Sequence, residues 1–170
     1  MRVSGFPPVL GARPRLLLLG SMPGRASLAA GEYYAQPRNQ FWRLMDALIG
    51  ASPALAYADR LEVLKGAGWA LWDVIASCER EGSLDASIVT RSVRTNDFAA
   101  FHALNPTIEL IACNGTTAER LYRRHVLPGL ADRAAAIPVV RLPSTSPAHA
   151  SLSFERKRAI WARALAGVRK

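Results

Sequence analysis

The sequence predicts an α/β fold of three layers, α/β/α, around a central, mostly parallel four-stranded sheet. Two observations carry this. Four short apolar runs, at residues 16–19, 69–75, 108–113 and 138–142, have strand length and are far too short to span a membrane. The segments between them have helical spacing and helix-type ends, so strand and helix alternate four times. Sheets of this kind bind ligands beyond the carboxyl ends of their strands. Here those ends lead into residues 20–39, the stretch after Asp73, Asn114-Gly115, and residues 143–153.

The elements follow in order. Four leucines form the first run, and Gly20-Ser21-Met22-Pro23-Gly24 comes directly after it. Two glycines around a proline tighten the turn and let the main chain approach a ligand. Residues 41–49 have helical spacing, ended by Gly50 and Pro53. A second helix is expected over 59–65, stopping at Gly66 before the buried strand 69–75. Thr95-Asn96-Asp97 starts a helix over 98–104, and Asn105-Pro106 stops it. After strand 108–113, Thr116 with Glu119 three residues on reads as a capping box for a helix ending before Pro128. Strand 138–142 leads into Pro143-Ser144-Thr145-Ser146-Pro147-Ala148-His149, and a closing helix starts near Ser153. Its apolar stripe is expected at Ile160, Trp161, Ala164, Leu165 and Val168, with Arg156, Lys157, Arg163 and Arg169 largely outside it.

Composition bounds the function. A chain of 170 residues, half of them apolar, is expected to form a single domain over 1–170 with a real core. The formal charge of +9 and pI near 10.5 favour a polyanionic partner such as nucleic acid. An arginine-rich composition is the plainer explanation, since 19 of the 22 basic residues are Arg. No long apolar span or basic amphipathic anchor points to a membrane. Cys78 and Cys113 stand apart without zinc or iron–sulfur spacing, so neither a metal nor a cofactor is expected. Two isolated thiols fit a reducing compartment, and residues 1–14, broken by three prolines, lack a signal-peptide core. A cytoplasmic location and a monomeric state are the expectations.

The second half of the glycine loop's neighbourhood is Tyr33-Tyr34-Ala35-Gln36-Pro37-Arg38-Asn39-Gln40-Phe41-Trp42. Aromatic faces beside an amide suit a pocket that sandwiches a flat heterocycle and does polar chemistry next to it. The glycine loop, this aromatic segment and Leu142-Pro143-Ser144-Thr145-Ser146 resemble, in order, the motifs of the uracil-DNA glycosylase superfamily. The Gly-Ser-Met-Pro-Gly loop, the later Asn and the Leu71-Trp72-Asp73-Val74 strand look like its hypoxanthine-DNA (deoxyinosine) glycosylase branch.

The resemblance implies a monofunctional glycosylase that flips a deaminated base out of double- or single-stranded DNA and excises it. It implies a base pocket of Gly20, Ser21, Met22, Pro23, Gly24, Tyr34, Asp73 and Asn114, with Tyr34 stacking on the base and Asp73 reading it. Ser144, Thr145, Ser146, Pro147 and His149 would contact DNA, gripping phosphate and filling the duplex beside the extruded nucleotide. Other branches keep Asp or Asn where Met22 stands and His or Asn where Leu142 stands. Met22 cannot handle a water, and the resemblance to the hypoxanthine branch implies that Asn39 is the catalytic amide.

Plainer readings stand beside these. Asn39 is also a good helix cap before Gln40-Phe41-Trp42, and both roles are compatible. Tyr34 can be a packed loop aromatic, Asp73 a loop cap or an arginine partner, and Ser144 and Ser146 ordinary turn formers. Phe41 and Trp42 read as core. Cys78-Glu79-Arg80 lies near the pocket without an assigned role. Ser144 with His149 suggests a hydrolase, but no nucleophile-elbow glycines or orienting acid accompany them. A phosphate-loop reading of residues 20–24 fails because no Lys-Ser/Thr pair follows. A non-catalytic nucleic-acid-binding module and uracil or xanthine as substrate are the remaining alternatives. Lyase chemistry needs an amine, and Lys65, Lys157 and Lys170 all lie outside the motifs.

Overall fold

The computed structural model describes residues 1–168. Four parallel strands make the central sheet: β2 (Leu16–Gly20), β3 (Trp69–Asp73), β6 (Leu110–Asn114) and β7 (Val139–Leu142), in the order β3-β2-β6-β7. The expected four-stranded sheet is therefore present. Its central strand β2 is buried along its whole length, because it is paired on both edges and covered on both faces.

Alternate residues of each strand feed two separate cores. Leu16, Leu18, Trp69 and Leu71 point to one face. There they meet α2 (Phe41–Ile49), α3 (Tyr57–Gly66) and α7 (Phe154–Ala164) through Phe41, Trp42, Leu64 and Trp161. Leu17, Leu19, Ala70 and Trp72 point to the other, against α4 (Phe98–Leu104) and α5 (Thr116–Leu121) through Phe98, Phe101, Ala118 and Leu121. This is the α/β/α layering.

A second sheet was not legible in the sequence. The strands β1 (Arg2–Ser4), β4 (Ile75–Glu79) and β5 (Arg94–Thr95) pair antiparallel in the order β1-β4-β5. The apolar run expected as one strand over 69–75 therefore breaks at Val74. Val74 N–H and Ile75 N–H donate to Gly20 O and Ser21 O at 2.9 and 3.0 Å, which turns the chain from the main sheet into the small one. Two short helices, α1 (Arg25–Ala30) and α6 (Asp132–Ala136), also lie where a loop was expected.

Three helix expectations need correction. Gly115, at φ 96°, caps α5, and no side chain of a Thr116–Glu119 box engages its start. After Leu121 the helix widens into a π-turn over Tyr122–Val126 and tightens into a 3₁₀ turn, Leu127–Gly129, that includes Pro128. In α7 the cap is as expected, with Ser153 Oγ accepting from Arg156 N–H at 3.3 Å. Its buried face, however, runs through Lys157 and Trp161 and continues past the helix end in Leu165 and in Val168 of a 3₁₀ turn, while Ile160 is 41% exposed. Residues at 157, 161, 165 and 168 share one side of a 3.6-residue helix, and Ile160 falls off it. Arg169, expected outside the stripe, and Lys170 lie outside the described residues.

Candidate active site

The motif loops meet at the carboxyl edge of the sheet. Gly20 ends β2 opposite Asp73, the last residue of β3. A Cβ on Gly20 would collide with Asp73 Oδ1 and stand 3.1 Å from the Tyr34 hydroxyl, so glycine is what lets both side chains converge there. Asp73 is 4% exposed, its carbonyl accepts from Asn96 Nδ2 at 2.8 Å, and its Oδ2 has no hydrogen-bond partner among the described residues. Burial pushes its carboxyl up to about 7, with the Asp85 carboxylate adding to the rise and Arg80 opposing it. An orphaned, buried oxygen of this kind is a ready acceptor for a ligand N–H, or a donor when protonated.

Four carbonyls of the glycine loop accept hydrogen bonds from the protein itself. Gly20 O and Ser21 O accept from Val74 and Ile75, Gly24 O from Leu28, and Pro23 O from Arg80 Nη2 at 2.5 Å. Ser21 Oγ donates to Asp85 Oδ1 at 2.6 Å, and Arg25 N–H to Ser83 Oγ at 2.9 Å. Arg80, Ser83 and Asp85 thus form a clasp from one segment. Arg80 is 2% exposed, and its Nε and Nη1 lack partners among the described residues. This gives a position to the residue that sequence reading left without a role. Ser83 and Asp85 carried no signal, because only the fold brings them to the loop.

Met22 departs from the expected pocket. It is 6% exposed and packs into the core on the α4–α5 face, with its sulfur near Gly5. A thioether gains more in an apolar core than beside a polar base, so its side chain leaves the site and only its main chain remains.

Tyr34 adopts φ 56°, a left-handed conformation that costs a non-glycine residue about 1–3 kcal/mol. Its ring stacks on Phe41 with centroids 3.9 Å apart and planes 17° from parallel. Its hydroxyl accepts from Asn114 Nδ2 at 3.0 Å. Asn114 Nδ2 also donates to Thr145 Oγ1 at 2.9 Å, and Asn114 Oδ1 accepts from Thr145 N–H at 3.0 Å. Thr145 O in turn accepts from Gln40 N–H at 3.0 Å. Asn114 is therefore a bracket between Tyr34 and the 143–149 loop. Thr145, expected at the DNA, is fully buried with its hydroxyl and N–H committed to Asn114; it belongs to the frame.

The cap position of α2 is Gln40, one residue after the Asn39 expected there, and no side chain caps from it. Asn39 instead forms an Asx turn, its Oδ1 accepting from Phe41 N–H at 3.0 Å, which fixes the amide just before the helix. Asn39 is half-buried, and with Tyr34, Gln36, Arg38, Arg43 and Arg60 it lines a cleft of about 470 Å³ that excludes Gly20–Gly24, Asp73 and Asn114. Its neighbour Gln40 ties this wall of the cleft to the 143–149 loop, through Gln40 N–H and Thr145 O.

Ser144 Oγ accepts from Ser146 N–H and Ser146 Oγ from Ala148 N–H, so both form turns, while Pro147 is exposed and His149 half-buried. Lys157, expected outside the motifs, instead lies beneath them. It is 2% exposed, and its Nζ donates to Gln40 Oε1 at 3.0 Å and His149 O at 2.7 Å. Burial lowers its pKa, and no carboxylate pairs with it among the described residues. Sequence reading missed it because a lysine on a surface helix is expected to face water.

Comparison with known proteins identifies the family. The model of the uracil DNA glycosylase superfamily matches residues 7–165. A protein named hypoxanthine DNA glycosylase from Methanosarcina barkeri is 38% identical over 116 residues, covering 68% of this chain and 72% of its own. A protein of the same name from Methanosarcina acetivorans is 39% identical over 115 residues, 67% of this chain and 72% of its own. A solution NMR structure of a Methanosarcina acetivorans protein, provisionally described as a uracil DNA glycosylase, superimposes with a TM-score of 0.80 at 32% identity over 99% of both chains. With its motifs in order, its parallel sheet and these relatives, the chain belongs to the uracil DNA glycosylase superfamily.

Proposed function

We propose that this protein is a monofunctional DNA glycosylase that excises deaminated bases, hypoxanthine foremost, from single- or double-stranded DNA. The observation that carries the reading is the exchange of roles between Met22 and Asn39. The glycine-loop position at which other branches of the superfamily keep an acid or amide is here the apolar, buried Met22, while the Asn39 amide, held by an Asx turn, lines a cleft with Tyr34. The two relatives named hypoxanthine DNA glycosylase favour hypoxanthine over uracil or xanthine.

In this mechanism the base is turned out of the stack and rests near Tyr34. The bond from C1′ to the base nitrogen breaks, and the electron pair leaves with the base. A water held by Asn39 adds its oxygen to the cationic C1′, its proton passes to solvent, and the departing base takes a proton in turn. The N–H groups of the glycine loop would stabilise charge on the base. Asp73 either accepts the N1–H of hypoxanthine or, protonated, donates to its carbonyl, and a carboxyl that titrates near neutrality serves both. Lys157 is buried with its Nζ donating to two carbonyl oxygens, an amine occupied in holding the frame, which supports hydrolysis over lyase chemistry.

The test is excision from oligonucleotides carrying one hypoxanthine, uracil or xanthine, followed by alkaline cleavage of abasic sites. Asn39→Ala should lose about 10²–10³-fold in hypoxanthine excision with duplex affinity retained. A wild type that cleaves no damaged base would leave a nucleic-acid-binding module as the reading.

A further inference from the structure

The 143–149 loop offers little to fill a gap in stacked DNA. Its exposed positions are Pro147 and Ala148, and the larger side chains around them are polar. A leucine at the same edge of the sheet is better suited. Leu84 is 59% exposed, between Asp85, which bonds Ser21 of the glycine loop, and Ser83, which bonds Arg25 N–H directly after that loop. Arg80, four residues earlier, bonds the same loop from beneath. Leu84 is therefore carried on a segment pinned on either side of it, next to Gly20–Gly24.

Leaving a leucine in water forgoes the free energy gained by burying its apolar surface. Base extrusion creates an apolar slot between unstacked neighbours, and proteins that distort DNA fill such slots with leucine, isoleucine, phenylalanine, methionine or proline. Arg25, exposed and bonded through its main chain to Ser83, puts a cation for phosphate on the same edge. Leu104 is more exposed, at 81%, but it ends α4 on the way to the amino end of β6, at the opposite edge of the sheet.

We infer that Leu84 is the wedge that enters the duplex beside the extruded nucleotide. The inference rests on the glycosylase reading. The wedge holds the base out by occupying its place in the stack, so it acts only where a stack exists.

Hypoxanthine excision is measured on the same oligonucleotide as a duplex and as a single strand. Leu84→Ala should lose about tenfold or more on the duplex and change less than about twofold on the single strand, and Leu84→Met should restore the duplex rate. Leu104→Ala should match wild type. A second readout does not depend on turnover: 2-aminopurine beside the hypoxanthine should brighten when Asn39→Ala binds, and stay dark with Asn39→Ala/Leu84→Ala. An unchanged duplex-to-single-strand ratio and unchanged brightening in the Leu84 variants overturn the wedge alone. So does a Pro147→Ala variant that alone shifts the ratio, since the 143–149 loop would then fill the gap. A wild type inactive on every damaged base overturns the glycosylase reading and the wedge together.

Discussion

The loops after β2 and β7 stand at the same edge of the sheet but are held in opposite ways. The Gly20–Gly24 loop is clasped largely from its outer side, by the exposed Ser83 and the half-buried Asp85, with Arg80 beneath it. The 143–149 loop is held from within, by the fully buried Thr145 and by Lys157, which is almost as inaccessible. Hydrogen bonds at the surface compete with water and are cheap to break, whereas buried ones are strong and costly to lose. The contrast suggests a division of labour. The inner-held loop is a rigid reference for Gln40 and hence for the start of α2. The outer clasp is fixed to the glycine loop by Arg80 beneath it and meets water at Ser83, so it presents the 83–85 segment at the surface.

The largest test of this contrast is at Asp73. Its folded carboxyl titrates near 7, above the unfolded value of about 3.9, so the protonated form is favoured by folding. That contribution to stability is complete below the unfolded pKa and is lost as pH rises through 7, a share on the order of 4 kcal/mol. Asp73→Asn should remove this loss, and urea denaturation between pH 4 and pH 8 would measure it. A pH slope unchanged by the substitution would show that the base-facing side of the glycine loop is not electrostatically strained.

Gly20→Ala comes next. The added methyl must displace Asp73 Oδ1 and crowd the Tyr34 hydroxyl, so excision of hypoxanthine should fall on the order of 10²-fold while the chain still folds. Single-turnover kinetics would check it, and near-normal rates would mean that the outer-held side accommodates the methyl freely. The smallest effect is expected at Lys157. Lys157→Met leaves Gln40 Oε1 and His149 O without their donor and should cost about 1–3 kcal/mol. Thermal denaturation decides the sign. A more stable variant would mean that desolvating the ammonium outweighs its bonds, and the view of a loop anchored from within would fail.

The four parallel strands were legible because buried strands are short, apolar and bounded by turns, as Leu16 to Gly20 shows. The three motif segments were legible because their residue types are unusual for packing alone. The small sheet was not, since Arg2, Ser4, Ser77 and Glu79 carry no apolar alternation and pair only because the main sheet delivers them to one another. The same holds for the clasp. Ser21 and Asp85 are 64 residues apart and have no common signature until the chain turns at Val74.

Lys157 and Met22 show the boundary most clearly. Local sequence determined that α7 is a helix capped by Ser153 and that Met22 cannot activate a water. Only tertiary structure decided that the lysine points inward and the methionine leaves the pocket. Periodicity and residue chemistry act over a few neighbours and survive in any context. The direction in which a side chain is buried depends instead on which distant carbonyls, rings and strands pack against it, and those are assembled only by the whole fold.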